Sequence, residues 1–278
     1  RIFSNGGISV QHVSGALASM ATTVDLTLSQ PVATSNAFVL FSSKSLDGAI
    51  NDASHFATAA LIDASTVRVT RNQTAAALWV SAQVVEFSNA RVDRSTTSGS
   101  GSSVSVASLP SRPTERTFAL YSAYLGATNN NHYICKRRFR GNIASSQSLL
   151  FSRGAGSSDP ECSNSDITSL AWERVELPTC SAITGCNTVQ RWSAGIAAGT
   201  TSIASVAIHR SLALLGGQGP GGQCAGETSW VDTSSATGSS TAAVHATIQL
   251  TSETAMSIVR NDNAGTSLFS PFVVQFDP

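Results

Sequence analysis

Five cysteines, at Cys135, Cys162, Cys180, Cys186 and Cys224, are the residues of this 278-residue chain best suited by type to covalent or metal chemistry. None belongs to a CxxC pair, so the spacings that serve zinc, iron–sulfur clusters and covalent haem are missing, and no metal or cofactor is expected. Disulfides are the better use of these thiols. Cys180 with Cys186 would close a short loop, and Cys135 with Cys162 would staple the middle of the chain. Cys224, in a glycine-rich stretch, is left as a free thiol or a bond to another chain.

The one run of charge is Lys136-Arg137-Arg138-Phe139-Arg140. Its arginine forks suit carboxylates and sulfates, and its plainer reading is an edge strand protected from pairing by charge. Of the tryptophans, Trp79 and Trp172 precede a recurring strand ending and read as core residues. Trp230, beside the glycine-rich stretch, is the candidate for an exposed, sugar-stacking ring, with Tyr124 and Tyr133 as possible companions. The histidines His12, His55, His132, His209 and His245 stand singly, and no GxSxG, P-loop or HExxH motif occurs. Glu173 and Glu176 read as strand-surface charges, and no catalytic residue is assigned. Asn72-Gln73-Thr74 has the form of a glycosylation sequon. Asp262 between two asparagines reads as a turn rather than a calcium ligand.

Composition narrows the partners. Seventeen basic and seventeen acidic residues cancel, which disfavours nucleic acid. Charged residues are only 12% of the chain, while serine and threonine make up about a quarter, so the polar surface is rich in hydroxyls. Apolar residues come in short runs, none near the ~20 needed for a spanning helix, so no membrane insertion is expected. The numbered chain begins at Arg1 with no initiator methionine and no apolar leader, as a mature product or a fragment would.

The elements that must position these residues repeat. Val84-Val85-Glu86-Phe87 recurs as Arg174-Val175-Glu176-Leu177 and as Val273-Val274-Gln275-Phe276, 90 and 99 residues apart. Arg71-Asn72 and Arg260-Asn261 each lie thirteen residues before such an ending; from Arg153 to Arg174 the interval grows to twenty-one. Phe38-Val39-Leu40-Phe41-Ser42 has counterparts in Phe118 to Ser122 and Leu212 to Gly216, and Val10-Gln11 in Val189-Gln190. Runs such as Thr66 to Thr70 and Ala246 to Thr251 alternate apolar and polar residues, as half-buried strands do. Helical turns are expected only at Ala57 to Ile62 and Ser252 to Ser257.

The expectation is therefore an all-β protein of three tandem, divergent β-sandwich units, immunoglobulin-like or jelly-roll-like, over residues 1–93, 94–178 and 179–278. The polar tract Ser95 to Ser103 would link the first two, and an insertion with Cys162 would enlarge the second. Such a chain suits a non-catalytic, self-assembling extracellular subunit of a filament, surface layer or viral appendage, whose partners are copies of itself. The assembly contacts expected are Phe272 to Phe276, Arg1 to Val13, and the basic cluster Lys136, Arg137, Arg138 and Arg140. The alternatives are a glycan-binding adhesin or fibre module, and a secreted hydrolase that would need a hydrogen-bonded Ser–His pair or two close carboxylates.

Overall fold

A computed structural model describes residues 2–5, 7–46, 56–72, 74, 77–99, 103–125, 140–152, 168–179, 187–192, 196–221, 246–260 and 266–276. The chain is all-β: among these residues there is no α-helix, only 3-10 turns at Thr114–Arg116 and Ile208–Arg210. After β1 (Ile2–Asn5) come β2 (Ile8–Leu17), β3 (Thr23–Thr27), β4 (Ala37–Ser45), β5 (Thr58–Asp63), β6 (Thr66–Thr70) and β7 (Leu78–Phe87). Then follow β8 (Arg91–Gly99), β9 (Ser103–Val106), β10 (Thr117–Leu125), β11 (Arg140–Ser145), β12 (Ser148–Ser152) and β13 (Thr168–Glu176). The last are β14 (Thr188–Arg191), β15 (Gly199–Ser202), β16 (Ser211–Gly221), β17 (Ala246–Ser252), β18 (Ala255–Arg260) and β19 (Thr266–Gln275).

Their pairing follows one order. Within β2 to β7 the first, last and third strands are neighbours (β2-β7-β4, with β1 on the outer edge of β2), and so are the second, fifth and fourth (β3-β6-β5). The same order appears as β8-β13-β10 and β9-β12-β11, and again as β14-β19-β16 and β15-β18-β17. One bridge, Arg140↔Gly217, joins β11 to β16, so β14-β19-β16-β11-β12-β9 is a continuous sheet.

The fourth and fifth strands of each set form a hairpin with the same irregularity. Pairing slips by one residue between Leu61 and Asp63, between Ile143 and Ser145, and between Leu250 and Ser252, the signature of a bulge beside the turn. The loop after the second strand is tied to that turn by two backbone bonds each time. Leu28 and Val32 donate to Ser65 and Ala64, Leu109 and Arg112 to Gln147 and Ser146, and Ile203 and Val206 to Thr254 and Glu253.

A side-chain hook explains one of the sequence repeats, and a buried arginine gives the role of the first copy of another. The Gln11 amide donates to the Gln30 carbonyl at 2.8 Å and accepts from the Gln30 N–H at 3.0 Å; Gln190 does the same with Ala204 at 2.8 and 2.7 Å. A side-chain amide carries both a donor and an acceptor, so it completes the backbone pairing of a loop residue as a strand would. Arg71, fully buried, donates to the carbonyls of Ala18 and Ala21 and so fixes the turn after β2.

The best-defined core lies between β2-β7-β4 and β3-β6-β5. Leu78, Val80, Ala82 and Val84 point inward from β7 and meet Val67 and Val69 of β6, Leu26 of β3 and Leu61 of β5. Gly15 of β2 lies so close to β3 that an added Cβ would stand 3.0 Å from Leu26. A second cluster, around Met256, Ile203, Val206 and Val273, takes in half-buried Trp192.

By contact density the chain divides into two compact bodies. One comprises residues 1–99, 120–132 and 166–178, the other 100–119, 133–165 and 179–278, so residues 94–178 contribute to both.

Three local expectations are corrected. Ala57 to Ile62 lies almost wholly in strand β5, because Ala57, Ala59 and Leu61 alternate into the core. Ser252 to Ser257 is the β17–β18 hairpin, closed by a Thr254 N–H to Ser252 Oγ bond in the turn. The tract from Ser95 supplies the last five residues of β8, paired in register with Thr168 to Trp172, and so is not a link. β-Branched threonines and serines suit a paired, half-exposed strand as well as they suit a loop.

Candidate functional site

The densest group of charge in the described residues is built by the pairing of β8 with β13. Register sets Arg94 opposite Glu173, Asp93 opposite Arg174 and Arg91 opposite Glu176, so each acid meets a base across the ladder. Arg174 donates to Asp93 Oδ2 from Nη2 at 2.6 Å and from Nε at 3.1 Å. Arg94 Nε lies 3.1 Å from Glu173 Oε1, and Arg91 approaches Glu176 at 3.8 Å.

Glu173 and Glu176 are therefore buried rather than surface charges, because β13 is covered on both faces from Leu170 to Leu177. Glu173 holds three elements together. Its second oxygen accepts the Val39 N–H of β4 at 2.6 Å, while Arg94 reaches the Thr34 carbonyl at 2.7 Å and also that of Ala37. Burial raises the Glu173 carboxyl above the ordinary range, against the opposing pull of Arg94 and the Val39 N–H. Both oxygens are engaged, so this group serves as a latch and has no face turned to a substrate.

The second group lies on the outer face of β2-β7-β4. Trp79, Ser81, Gln83 and Val85 point outward along β7, opposite Ala16, Ser14, His12 and Val10 of β2 and Lys44, Ser42, Leu40 and Phe38 of β4. Trp79 is 41% exposed, and His12, Gln83, Ser42 and Lys44 are exposed too. The core role expected for Trp79 is thus corrected, because alternation along β7 turns Leu78 and Val80 inward and Trp79 out. Trp172 is buried as expected, and its indole N–H has no hydrogen-bond partner among the described residues.

His12 Nε2 and Ser81 Oγ are 2.8 Å apart on this face. A Ser–His contact is the first requirement of a hydrolytic centre, but a nucleophile also needs its base oriented and water excluded. Among the described residues no carboxylate bonds to the His12 ring, and the pair lies on an exposed sheet surface. Two exposed charges elsewhere form a surface pair: Arg68 grips Asp25 through two 2.8 Å bonds, which lower the Asp25 carboxyl and raise the Arg68 guanidinium.

The five cysteines, Lys136, Arg137, Arg138, Trp230, Tyr133 and Asp262 lie outside the described residues, so the disulfide, basic-cluster and exposed-tryptophan expectations concern positions on which the structure says nothing. Arg140 stands in β11, where it pairs with Ser152 and Gly217. Tyr124 is half-buried in β10. Phe272 is buried in β19 and Phe276 is partly buried just beyond it. From Phe272 to Gln275 β19 is paired on both edges, with β14 and β16, and so has no free edge to offer a neighbour. Among the described residues no group of three or more metal-binding side chains occurs, and no helix is long and apolar enough to cross a membrane.

No protein-family model matches the chain, and no curated protein is similar to it in sequence.

Sequence reasoning missed the latch and the open face for one reason. Both depend on which face of a sheet another layer covers, and alternation along a strand is silent about that. A signal did exist for the latch: Asp93-Arg94 and Glu173-Arg174 carry matched opposite charges, as two paired antiparallel strands require.

Proposed function

We propose that the chain is a non-catalytic, self-assembling structural protein of three tandem β-sandwich units, working outside the cell as a subunit of a filament, surface layer or appendage. The observation that carries the reading is the recurrence of one strand order and one bulged hairpin in β2–β7, β8–β13 and β14–β19. A repeated unit that buries its faces against its neighbours is the design of extended, quasi-one-dimensional proteins. A formal charge of zero adds no long-range repulsion between copies. The buried charges support the same reading, since Arg94, Glu173, Asp93 and Arg174 are spent on holding strands together.

Negative-stain microscopy and light scattering of the purified chain, with and without reductant, test this. Regular extended particles are expected, and their loss on reduction would assign Cys224 or another cysteine to the contact between chains. A uniform monomer under every condition would remove the reading.

A second reading rests on Trp79. An exposed indole beside Lys44, Gln83 and the His12–Ser81 pair offers a flat stacking surface with polar neighbours, which suits a sugar ring. If the chain is a glycan-binding module, Trp79→Ala abolishes retention on a glycan array; binding that survives this change, or none at all, dismisses it.

A further inference from the structure

The middle strands of the three first-last-third sheets differ in one respect. β7 alternates buried and exposed residues, whereas β13 from Leu170 to Glu176 and β19 from Phe269 to Val274 are buried on both faces. Within the first body, the face of β8-β13-β10 that corresponds to the open face of β2-β7-β4 is met by the edges of β4 and β5. Val39 N–H bonds to Glu173, and Ala59 N–H bonds to Ser122 Oγ at 2.9 Å. Within the second body, the corresponding face of β14-β19-β16 is met by β10 and β11. Phe118 lies against Phe272 with ring centroids 6.5 Å apart, and Arg191 donates to the Ile143 carbonyl at 3.0 Å.

One interface is thus built twice: the third and fourth strands of one set cover the outer sheet face of the next. Strand register makes the correspondence specific. His12 opposite Gln83, Arg94 opposite Glu173 and Arg191 opposite Phe272 occupy the same place. Arg94 and Arg191 reach backbone carbonyls of the strand set before them, while His12 bonds only to Ser81 of its own sheet among the described residues.

Among the described residues, the other half of the interface is exposed at the far end of the series. Phe38 and Phe118, on the third strands, are 2% and 0% exposed, Phe118 lying against Phe272, but their counterpart Leu212 on β16 is 38% exposed. Ile208, just before it, is 43% exposed.

We propose that these two open halves mate between chains: the β16–β17 edge of one copy docks on the outer face of β2-β7-β4 of a second copy, head to tail. This rests on the self-assembly reading and names its surface. The occupant is argued from the molecule itself, which forms this contact twice with the same strands. Gln83 stands where Glu173 accepts the Val39 N–H, and Ala213 of β16 stands where Val39 donates, so the amide oxygen of Gln83 can take the Ala213 N–H. A heterologous contact between two different surfaces joins copies head to tail, and extends into a filament wherever the rotation between successive copies does not close a ring.

The test uses the full chain and two exposed positions, Gln83→Lys on the face and Leu212→Lys on the edge, each checked for wild-type thermal melting. Ala16→Arg is a second face variant should Gln83→Lys melt early. By sedimentation velocity, the wild type is expected to rise in average mass with concentration, and each variant alone to stay at 28.7 kDa. An equimolar mixture of the two should give a dimer and nothing larger, since only one intact face and one intact edge remain to meet.

Wild-type assembly that neither variant reduces would overturn the head-to-tail surface and leave self-assembly standing. A wild type that remains monomeric would overturn both. A mixture without dimer, or a closed dimer lost in Gln83→Lys but kept in Leu212→Lys, would overturn the heterologous pairing alone.

Discussion

Removing one partner of the buried latch gives the sharpest test of how the first body is held. Glu173→Ala takes away the carboxylate that faces Arg94 Nε at 3.1 Å and the acceptor of the Val39 N–H at 2.6 Å. Arg94 keeps the carbonyls of Thr34 and Ala37 but loses its counter-charge, and the Val39 amide loses its side-chain acceptor where water has little access. Breaking a buried ion pair from one side costs about 3–5 kcal/mol. At roughly 3–6 °C per kcal/mol for a body between small and mid-sized domains, the melting transition should fall by about 9–30 °C. Urea unfolding followed by tryptophan fluorescence reads it, because Trp79 and Trp172 both belong to this body. The double change Glu173→Leu with Arg94→Met should lose less than Glu173→Ala alone, since it strands no charge. A loss under about 1 kcal/mol for Glu173→Ala, the range of an exposed pair, would refute the latch.

Three further outcomes follow from the same geometry. Because burial raises the Glu173 carboxyl in the folded chain, the fold holds its proton more tightly than the unfolded chain does, and the stability due to Glu173 is complete at acid pH and declines as pH rises through its folded value. The stability of Glu173→Gln relative to wild type, from urea curves between acid and neutral pH, should therefore improve as pH rises; the opposite trend would mean that Arg94 outweighs burial. Gln11→Ala removes a buried amide with three bonds, one of them from Ser29 Oγ, and Gln190→Ala a half-buried amide with two; each should cost about 1–2 kcal/mol in urea unfolding, with the larger loss at Gln11, and a larger loss at Gln190 would contradict this. Leu78→Ala, at a fully buried core position, should cost about 2–5 kcal/mol, whereas Trp79→Ala, one residue on, should leave the melting temperature within about 2 °C of wild type.

How much of this was legible in the sequence depends on the range of the interaction concerned. Alternation and β-branched residues announced the all-β class, and Val10-Gln11 with Val189-Gln190 marked positions that turn out to be matching hooks. Arg71-Asn72 marked a buried arginine that fixes a turn. These signals are local, and a local backbone requirement selects the same residue wherever it recurs. The fate of Trp79, Glu173 and Phe272 was not legible, because each stands in a strand whose other face is open or covered according to what packs on it. Equivalent strands read alike in sequence, yet β7 is half exposed while β13 and β19 are enclosed. The tract after Ser95 reads as a link for a related reason: serine and threonine in an edge strand resemble a polar loop until a partner such as β13 is found for them.

The measurement closest to the central claim is the average mass of the wild-type chain across a dilution series, by sedimentation velocity in reductant so that cysteine bonds play no part. The head-to-tail account predicts a mass that climbs steadily with concentration and does not level at a dimer. A single species of 28.7 kDa at every concentration, or a plateau at twice that mass, would contradict it.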